Sequence, residues 1–245
     1  MTAPPLTTAA WLRLDAVGRA LDRVRPERVL EVGAGRGAMG WRLARRCSAY
    51  VGLEPDPASF AVARERLAGV PGAEVRNGDV SSLADGEVFD LVCAFEVLEH
   101  VPDDVGELRR WGAHLRPPGW LLLSVPAHQS RFGPTDEAVG HVRRYDREPL
   151  TDTLRAGGFE PVEVTAWGAG AGHLLEWARD RVTTRRPAPS SQEERTARSG
   201  RFLQPSGPLA GAATAVLAAP GRLVQRPFAR TGAGIGWVVL ARSSA

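Results

Sequence analysis

The sequence predicts a doubly wound α/β fold built on a mainly parallel sheet of seven strands. Short apolar segments alternate with segments of helical period, which is the pattern of parallel β-α-β units. Residues 120–125 are almost wholly apolar, as expected of a central strand covered on both faces. A glycine-rich turn follows the first strand. At 245 residues the chain has room for one large domain, and we expect 1–245 to form it.

The periodicity of apolar residues predicts the elements in order. An N-terminal helix is expected at 7–24, because Leu14, Val17, Leu21 and Val24 share one face, and Pro26 ends it. Strands are expected at 28–33, 50–53, 73–75, 89–95, 120–125, 159–167 and 235–241. Helices are expected between them at 39–47, at 58–67, around Leu108, Trp111 and Leu115, and at 151–156.

An insertion is predicted at 168–234, because this stretch is far longer than an ordinary connection between strands. Residues 173–182 have helical character, whereas 185–200 are polar and rich in Pro and Ser, which predicts a flexible linker. Leu209, Val216 and Leu223 recur every seven residues and predict a second helix, kinked at Pro220. Three roles are open to the insertion: a lid over an apolar substrate, a membrane-surface contact, or packing at the domain edge or in a dimer.

Composition narrows the class of protein. The net charge is +3, but all 31 basic residues are arginines, and they are dispersed and offset by 28 acidic residues, so we do not expect a nucleic-acid partner. Cys47 and Cys93 have no partner at metal-ligand spacing and are expected to be free thiols. No signal peptide or membrane-spanning segment is evident, so a cytoplasmic location is expected.

The glycine-rich turn is the sharpest motif. Gly33, Gly35 and Gly37 follow a strand and open a helix, where a ligand can approach the backbone and meet free N–H groups. Such a turn by itself can serve NAD, FAD or S-adenosylmethionine (SAM). The spacing differs from the dinucleotide fingerprint Gly-x-Gly-x-x-Gly. In addition, the carboxylate of Glu31 would repel a pyrophosphate, whereas it would attract an ammonium and a sulfonium.

Further polar residues end the next strands. Glu54 ends the second strand, about twenty residues beyond the glycines, where a carboxylate can accept both ribose hydroxyls. Asp79 follows the third strand and can accept from an adenine amino group, although it can also cap a helix. Phe95 and Glu96 end the fourth strand. Open α/β sheets bind ligands at these carboxyl ends.

The motifs in order are Val29 to Gly37, Glu54-Pro55-Asp56, Gly78-Asp79-Val80, Phe89 to Val101 and Arg116 to Leu123. Together they resemble those of class I SAM-dependent methyltransferases, especially the group that includes ubiquinone-biosynthesis and many small-molecule methyltransferases. The resemblance covers 25–167 and the last strand. It implies the Rossmann-like strand order 3-2-1-4-5-7-6 with an antiparallel last strand. It also implies SAM as cofactor, bound by Glu31, Gly33, Ala34, Gly35, Gly37, Glu54, Pro55, Asp79, Val80, Phe95 and Glu96.

Candidates for catalysis lie in the long loop after the fifth strand. Methyl transfer depends largely on positioning, but a general base helps when the acceptor is a hydroxyl. His128, His141 and Tyr145 are the candidates in this loop, since an imidazole with a pKa of about 6.5 is a base near neutrality. His100, in the motif that follows the fourth strand, is a fourth candidate, although a histidine there more often anchors a helix. Related methyltransferases carry a similar His-x-Arg-x-Tyr stretch, which can equally be a structural lock. No His/Cys cluster has metal-ligand spacing, so no metal site is predicted.

These observations favour a SAM-dependent methyltransferase that acts on a small molecule, with oxygen as the leading acceptor atom. A nucleotide-dependent oxidoreductase is disfavoured by Glu31 and by the glycine spacing. Two further kinds of protein are compatible with the same motifs: a non-catalytic SAM-binding or partner-binding protein, and an RNA methyltransferase. We expect a monomer or a homodimer.

Overall fold

A computed structural model describes residues 3–183 and 207–244, so the predicted linker at 185–200 lies outside the described residues. The strands are β1 Arg28–Val32, β2 Ala49–Glu54, β3 Ala73–Asn77, β4 Phe89–Phe95, β5 Leu115–Pro126, β6 Phe159–Trp167 and β7 Gly236–Ser243. The helices are α1 Thr8–Val24, α2 Gly40–Ala44, α3 Pro57–Leu67, α4 Asp104–Ala113, α5 Pro134–Val139, α6 Arg147–Ala156, α7 Ala171–Thr183 and α8 Gly207–Val224.

The seven strands form one sheet in the order β3-β2-β1-β4-β5-β7-β6. The pairs β1–β2, β2–β3, β1–β4 and β4–β5 are parallel. Strand β7 runs antiparallel to both β5 and β6. This topology confirms the predicted fold class, including the antiparallel last strand and the helical insertion between β6 and β7.

Two apolar layers cover the sheet, and alternation along β1 shows how they separate. Leu30 and Val32 join the layer that contains Leu108 and Trp111 of α4, whereas Val29 joins the layer beneath α1 and α2. Successive side chains of a strand point to opposite faces. Glu31, between Leu30 and Val32, therefore projects toward the α1 side of the sheet, where it must find polar partners in a buried setting.

The structure corrects the predicted extent of the fourth helix. The periodicity predicts Leu115 on this helix, but α4 ends at Ala113 and Leu115 begins β5, where it pairs with Phe89. The physical reason is that Pro117 disfavours helical backbone at the residue before it. In addition, Leu115 is buried in the apolar core when it belongs to β5. The short helix α5 was not predicted from the sequence.

Helix α8 packs on α1 through small and polar residues. Thr214 Oγ1 donates to the Leu6 carbonyl at 2.8 Å, and Gln225 Nε2 donates to the Leu12 carbonyl at 2.7 Å. The Arg222 guanidinium pairs with the Asp15 carboxylate. The heptad residues Val216 and Leu223, in contrast, are exposed. The spacing therefore indicated a helix but not the face through which it packs.

None of the helices in the described ranges combines the length and the apolar character needed to cross a bilayer.

Candidate active site

A cavity of about 660 Å³ lies at the carboxyl ends of the parallel strands. Helices α1 and α7 contribute Arg13, Leu175 and Glu176 to its walls. The residues that follow or end the strands and line it are Val32, Gly33, Leu53, Glu54, Gly78, Asp79, Phe95, Glu96 and Pro126. The cavity therefore occupies the place where open α/β sheets bind ligands.

Only the first part of the glycine-rich turn lines the cavity. Gly33, Ala34 and Gly35 line it, and all three glycines have positive φ, at 72°, 54° and 74° for Gly33, Gly35 and Gly37. Gly37 is not among the lining residues. It faces α3 instead, where a Cβ would lie 2.7 Å from Leu67 Cδ1. The predicted ligand contact of Gly37 thus has no geometric support, because this glycine is needed for close packing of the turn on α3.

Replacing Gly33 by Ala is expected to lower stability more than replacing Gly35 by Ala. Both positions carry the cost of a left-handed backbone, about 1 kcal/mol. At Gly33 the new Cβ would also lie 2.6 Å from Val97 Cγ2, whereas at Gly35 nothing lies within 4 Å. Urea unfolding of the two variants measures the difference. Equal losses of unfolding free energy would contradict the proposed clash.

Glu31 is buried in the cavity floor. Its carboxylate accepts a hydrogen bond from the Tyr50 hydroxyl, and its side chain is one of the lining groups. Burial raises the pKa of Glu31 from 4.5 to about 8, and the Tyr50 hydrogen bond offsets only part of this rise. Glu31 is thus mostly protonated at neutral pH. A cation placed beside it would favour the ionised form.

Glu54 organises the turn from the neighbouring strand. Its Oε2 accepts from the Gly35 N–H at 2.7 Å, and its Oε1 accepts from the Asp56 N–H at 2.9 Å. The side chain is buried, and burial raises its pKa above the usual value although both backbone hydrogen bonds oppose this. Glu54 thereby links β2 to the glycine-rich turn, and Pro55 beside it also lines the cavity.

Of the remaining residues predicted to bind the cofactor, three line the cavity and one lies in the apolar core. Asp79 lines the cavity, and its carboxylate also accepts from the Ser81 N–H at 2.9 Å, so it caps the following 3₁₀ turn. Val80 is buried in the apolar core and is not a lining residue. Phe95 and Glu96 both line the cavity. Glu96 Oε1 accepts from Ser124 Oγ at 2.7 Å and lies 3.5 Å from Arg13 Nη1.

Carboxylates outnumber arginines around the cavity. The arginines are Arg13, Arg36, Arg144 and Arg179. The acids are Glu31, Glu54, Asp79, Glu96, Glu107, Asp136, Glu176 and Asp180. This excess of acids favours binding of a ligand that carries a sulfonium and an ammonium, and it disfavours binding of a pyrophosphate because the negative charges repel each other.

Of the four candidate catalytic residues, His100 and His141 line the cavity, and His128 and Tyr145 are not lining residues. The His128 ring instead lies 2.8 Å from the Gly232 carbonyl through Nε2 and packs edge-on against Trp237. The Tyr145 hydroxyl is buried and donates to Asp104 Oδ2 at 2.9 Å. The structure therefore does not bring His128 or Tyr145 to the cavity, because packing and hydrogen bonds direct both side chains elsewhere.

His141 forms a dyad with Asp136. Its Nδ1 lies 2.7 Å from Asp136 Oδ1, and Arg144 Nη2 lies 2.8 Å from Asp136 Oδ2. Although burial raises the pKa of Asp136, the hydrogen bonds from His141 and Arg144 outweigh it and lower that pKa below its usual value. Asp136 therefore stays ionised and fixes the tautomer of His141 with the proton on Nδ1. Arg144 is held on its other side by Glu176 Oε1 at 2.7 Å.

Glu99 and His100 lie against this dyad. Glu99 is fully buried, and neither of its carboxylate oxygens has a hydrogen-bond partner among the described residues. Burial and the Glu96 carboxylate raise the pKa of Glu99 well above its usual value. Burial and the neighbouring His141 lower the pKa of His100 to about 4. His141 Nε2 lies 3.6 Å from Glu99 Oε1, which is beyond hydrogen-bond length.

These three groups come as close together as metal ligands do. The ligand atoms of Glu99, His100 and His141 all lie within 4.8 Å of one another. Linear spacing did not indicate this cluster, because His141 reaches it only through the fold of the loop after β5. The prediction that no metal is bound stays a prediction.

Asp136 and Glu176 are the site residues that sequence reasoning missed. Asp136 stands five residues before His141, a spacing that a short helix turn brings into contact, and this was the available signal. Glu176 belongs to α7, within the predicted insertion, and no local pattern distinguishes it from the other charged residues of that helix. Part of the insertion therefore forms a wall of the cavity.

The model of a family described as a methyltransferase domain matches residues 10–164 of the chain, which is more than half of its length. The chain belongs to this family. An uncharacterized methyltransferase of Mycobacterium ulcerans is 33% identical over 194 residues, which cover 71% of this chain and 72% of that protein. Membership confirms the class predicted from the motifs, a SAM-dependent methyltransferase domain with SAM as the cofactor.

A ubiquinone biosynthesis O-methyltransferase of Azorhizobium caulinodans is 39% identical over 110 residues, covering 44% of this chain and 43% of that protein. The next relative of this type is matched over 50% of its length, so the domain spans about half of these curated relatives. The solved structure of the N-methyltransferase NodS from Bradyrhizobium japonicum, in complex with S-adenosylhomocysteine (SAH), has a TM-score of 0.58 at 15% identity, over 95% of this chain and 86% of that one. At this identity the likeness shows the fold alone.

Proposed function

We propose that the domain transfers the methyl group of SAM to an oxygen of a small-molecule acceptor. The observation that carries this proposal is the Asp136–His141 dyad: His141 lines the cavity, and its Nε2 lies 3.6 Å from Glu99 Oε1, beyond hydrogen-bond length. The O-methyltransferase names of the relatives similar to this chain support oxygen as the acceptor atom.

Three acids and the glycine-rich turn are proposed to hold SAM. Glu31 would pair with a positive charge of the methionine part, because its buried carboxyl gains a counter-ion there. Glu54 would accept from the ribose hydroxyls with the lone pairs that the Gly35 and Asp56 N–H groups leave free. Asp79 would accept from the adenine amino group. Gly33 to Gly35 let the ligand approach the backbone closely.

Bound SAM supplies a methyl group already activated by its sulfonium. His141 Nε2 would accept the proton of the acceptor hydroxyl as the oxygen forms its bond to the methyl carbon and the carbon–sulfur bond breaks. Asp136 would stabilise the resulting imidazolium, because its carboxylate is held ionised by Arg144. The products are the methyl ether and SAH, and the proton remains on His141 until it passes to solvent.

Ligand binding is expected to release about one proton at pH 7. The pKa of Glu31 is about 8, and an adjacent ammonium lowers it, so Glu31 ionises when SAM or SAH binds. Affinity should therefore rise as the pH increases toward about 8 and then level off. Calorimetry of SAH binding in two buffers of different ionisation enthalpy measures the released proton.

Two controls test the origin of this proton. The variant Glu31→Gln should bind SAH without proton release, and methylthioadenosine, which lacks the ammonium, should bind the natural protein without it. Proton-neutral binding of SAH to the natural protein would contradict the role of Glu31.

Acceptor chemistry is tested by measuring SAH formation from SAM with a panel of phenols, aliphatic alcohols, carboxylic acids and amines. The proposal expects turnover with a hydroxyl acceptor and a product that mass spectrometry identifies as the methyl ether. Turnover confined to amines would overturn the choice of oxygen. An RNA acceptor is disfavoured by the acidic lining of the cavity, and a non-catalytic role by the presence of His141 in it.

A further inference from the structure

The exposed residues of α8 between Ala212 and Val224 are all apolar. We define the outer face of α8 as the exposed residues Ala212, Ala213, Val216, Leu217, Ala219, Pro220, Leu223 and Val224. Leu217 is 72% exposed, Val216 71% and Leu223 61%. An ordinary surface helix turns its large apolar side chains toward the core and its polar ones toward water.

The orientation of α8 is fixed by its buried side. Gly211, Thr214, Ala218 and Gln225 approach α1, with Ala218 fully buried and Thr214 and Gln225 hydrogen-bonded to α1 and its preceding residues. Gln225 also accepts from the Gly168 N–H at 2.7 Å. Rotating the helix to bury Leu217 would break these bonds. The large apolar side chains are therefore held outward by specific contacts.

The apolar surface continues beyond α8 itself. Val224 lies beside Gly170, at the start of α7, and one turn further Leu174 is 71% exposed. Trp177 is also exposed on α7, where the Arg181 guanidinium lies 4.1 Å from its ring centroid. Phe228, just after α8, is exposed as well. Contiguous apolar surface of this kind marks an interaction site.

Positive charge adjoins this surface. In the described range 207–244 the chain contains four arginines and no acidic residue. Arg226 and Arg230 follow the outer face directly and are exposed. On the α1 side, Asp15, the partner of Arg222, borders a groove in which four arginines face two acids. The arginines are Arg19, Arg42, Arg45 and Arg46, and the acids are Asp15 and Asp22, which pairs with Arg46.

We propose that the outer face of α8 docks on the surface of a lipid bilayer that carries anionic headgroups. Val216, Leu217, Leu223 and Val224 would enter the boundary between headgroups and acyl chains, and the flanking arginines would bind lipid phosphates. Aliphatic side chains followed by the exposed Arg226 and Arg230 match such a surface in both polarity and charge. A second copy of the chain would instead bring two positively charged surfaces together, which repel each other.

The test is co-sedimentation of the full chain with vesicles of phosphatidylcholine, with and without one-third phosphatidylglycerol. We expect binding to the anionic vesicles, little binding to the neutral ones, and release at high salt. The double variant Leu217→Glu and Leu223→Glu should lower the vesicle partition coefficient by about tenfold or more. Val162→Glu is the matched control, since Val162 is an exposed apolar residue on β6, and it should bind as the natural protein does.

Folding of the variants is verified by their thermal unfolding midpoints, which these exposed substitutions should leave unchanged. Absence of binding to anionic vesicles, or undiminished binding of the folded double variant, would overturn the proposal. A dimer in sedimentation velocity that the double variant abolishes, without vesicle binding of the natural protein, would assign the face to a second copy instead.

Discussion

The variant His141→Gln is expected to lower kcat by about 10²- to 10⁴-fold with a hydroxyl acceptor, the range that a general base contributes. Glutamine keeps a polar side chain of similar length near Asp136 but cannot take up a proton. SAH affinity should change little, because the proposed cofactor contacts lie on β1, β2, the glycine-rich turn and the turn after β3.

The matched control is His128→Gln. His128 lies in the same loop but hydrogen-bonds the Gly232 carbonyl and does not line the cavity, so kcat should be little affected. Equal losses in the two variants would indicate a structural effect of the loop and contradict the role of His141. EDTA should leave activity unchanged. Loss of activity in EDTA would assign Glu99, His100 and His141 to a metal ion instead.

The variant Glu54→Gln is expected to weaken SAH binding by about 10- to 100-fold, since a charge-assisted hydrogen bond contributes about 1.5–3 kcal/mol. The carboxylate has two acceptor oxygens, and both hold backbone N–H groups, of Gly35 and Asp56. An amide retains one acceptor and turns an NH₂ group toward the other N–H. The variant therefore loses one proposed ribose acceptor and loosens the turn.

Glu163→Gln serves as the control for Glu54→Gln, since Glu163 lies half-exposed on β6, away from the cavity. Calorimetry with SAH compares the two variants with the natural protein. Natural affinity in a folded Glu54→Gln variant would remove Glu54 from the proposed cofactor site.

The sequence was sufficient for the sheet and for the acids at its carboxyl edge, because strand periodicity and strand-end position are local properties. The sequence could not show that Gly33 lines the cavity whereas Gly37 packs against α3, since both glycines have a positive φ and the difference arises only from the packing of α3. Nor could the sequence show that His141 lines the cavity whereas His128 does not. Their side chains are directed by Asp136 and by the Gly232 carbonyl, contacts that exist only once the loop has folded.

Helix α8 shows the same limit for a whole element. The heptad spacing of its large apolar residues indicated a helix, and an inward-facing apolar side is the ordinary expectation. In the structure, glycine, alanine, threonine and glutamine make the contact with α1, because small residues and side-chain hydrogen bonds allow the two helices to approach closely. Which face of α8 is buried depends on the surface of α1, and the sequence of α8 alone carries no information about that surface.

The most direct measurement is a calorimetric titration of the purified protein with SAH, with NAD as the control ligand. Saturable one-to-one binding of SAH and no binding of NAD is the predicted result, because the cavity presents an excess of carboxylates that suits a cationic ligand and opposes a pyrophosphate. Binding of NAD without binding of SAH would contradict the assignment of this cavity to SAM.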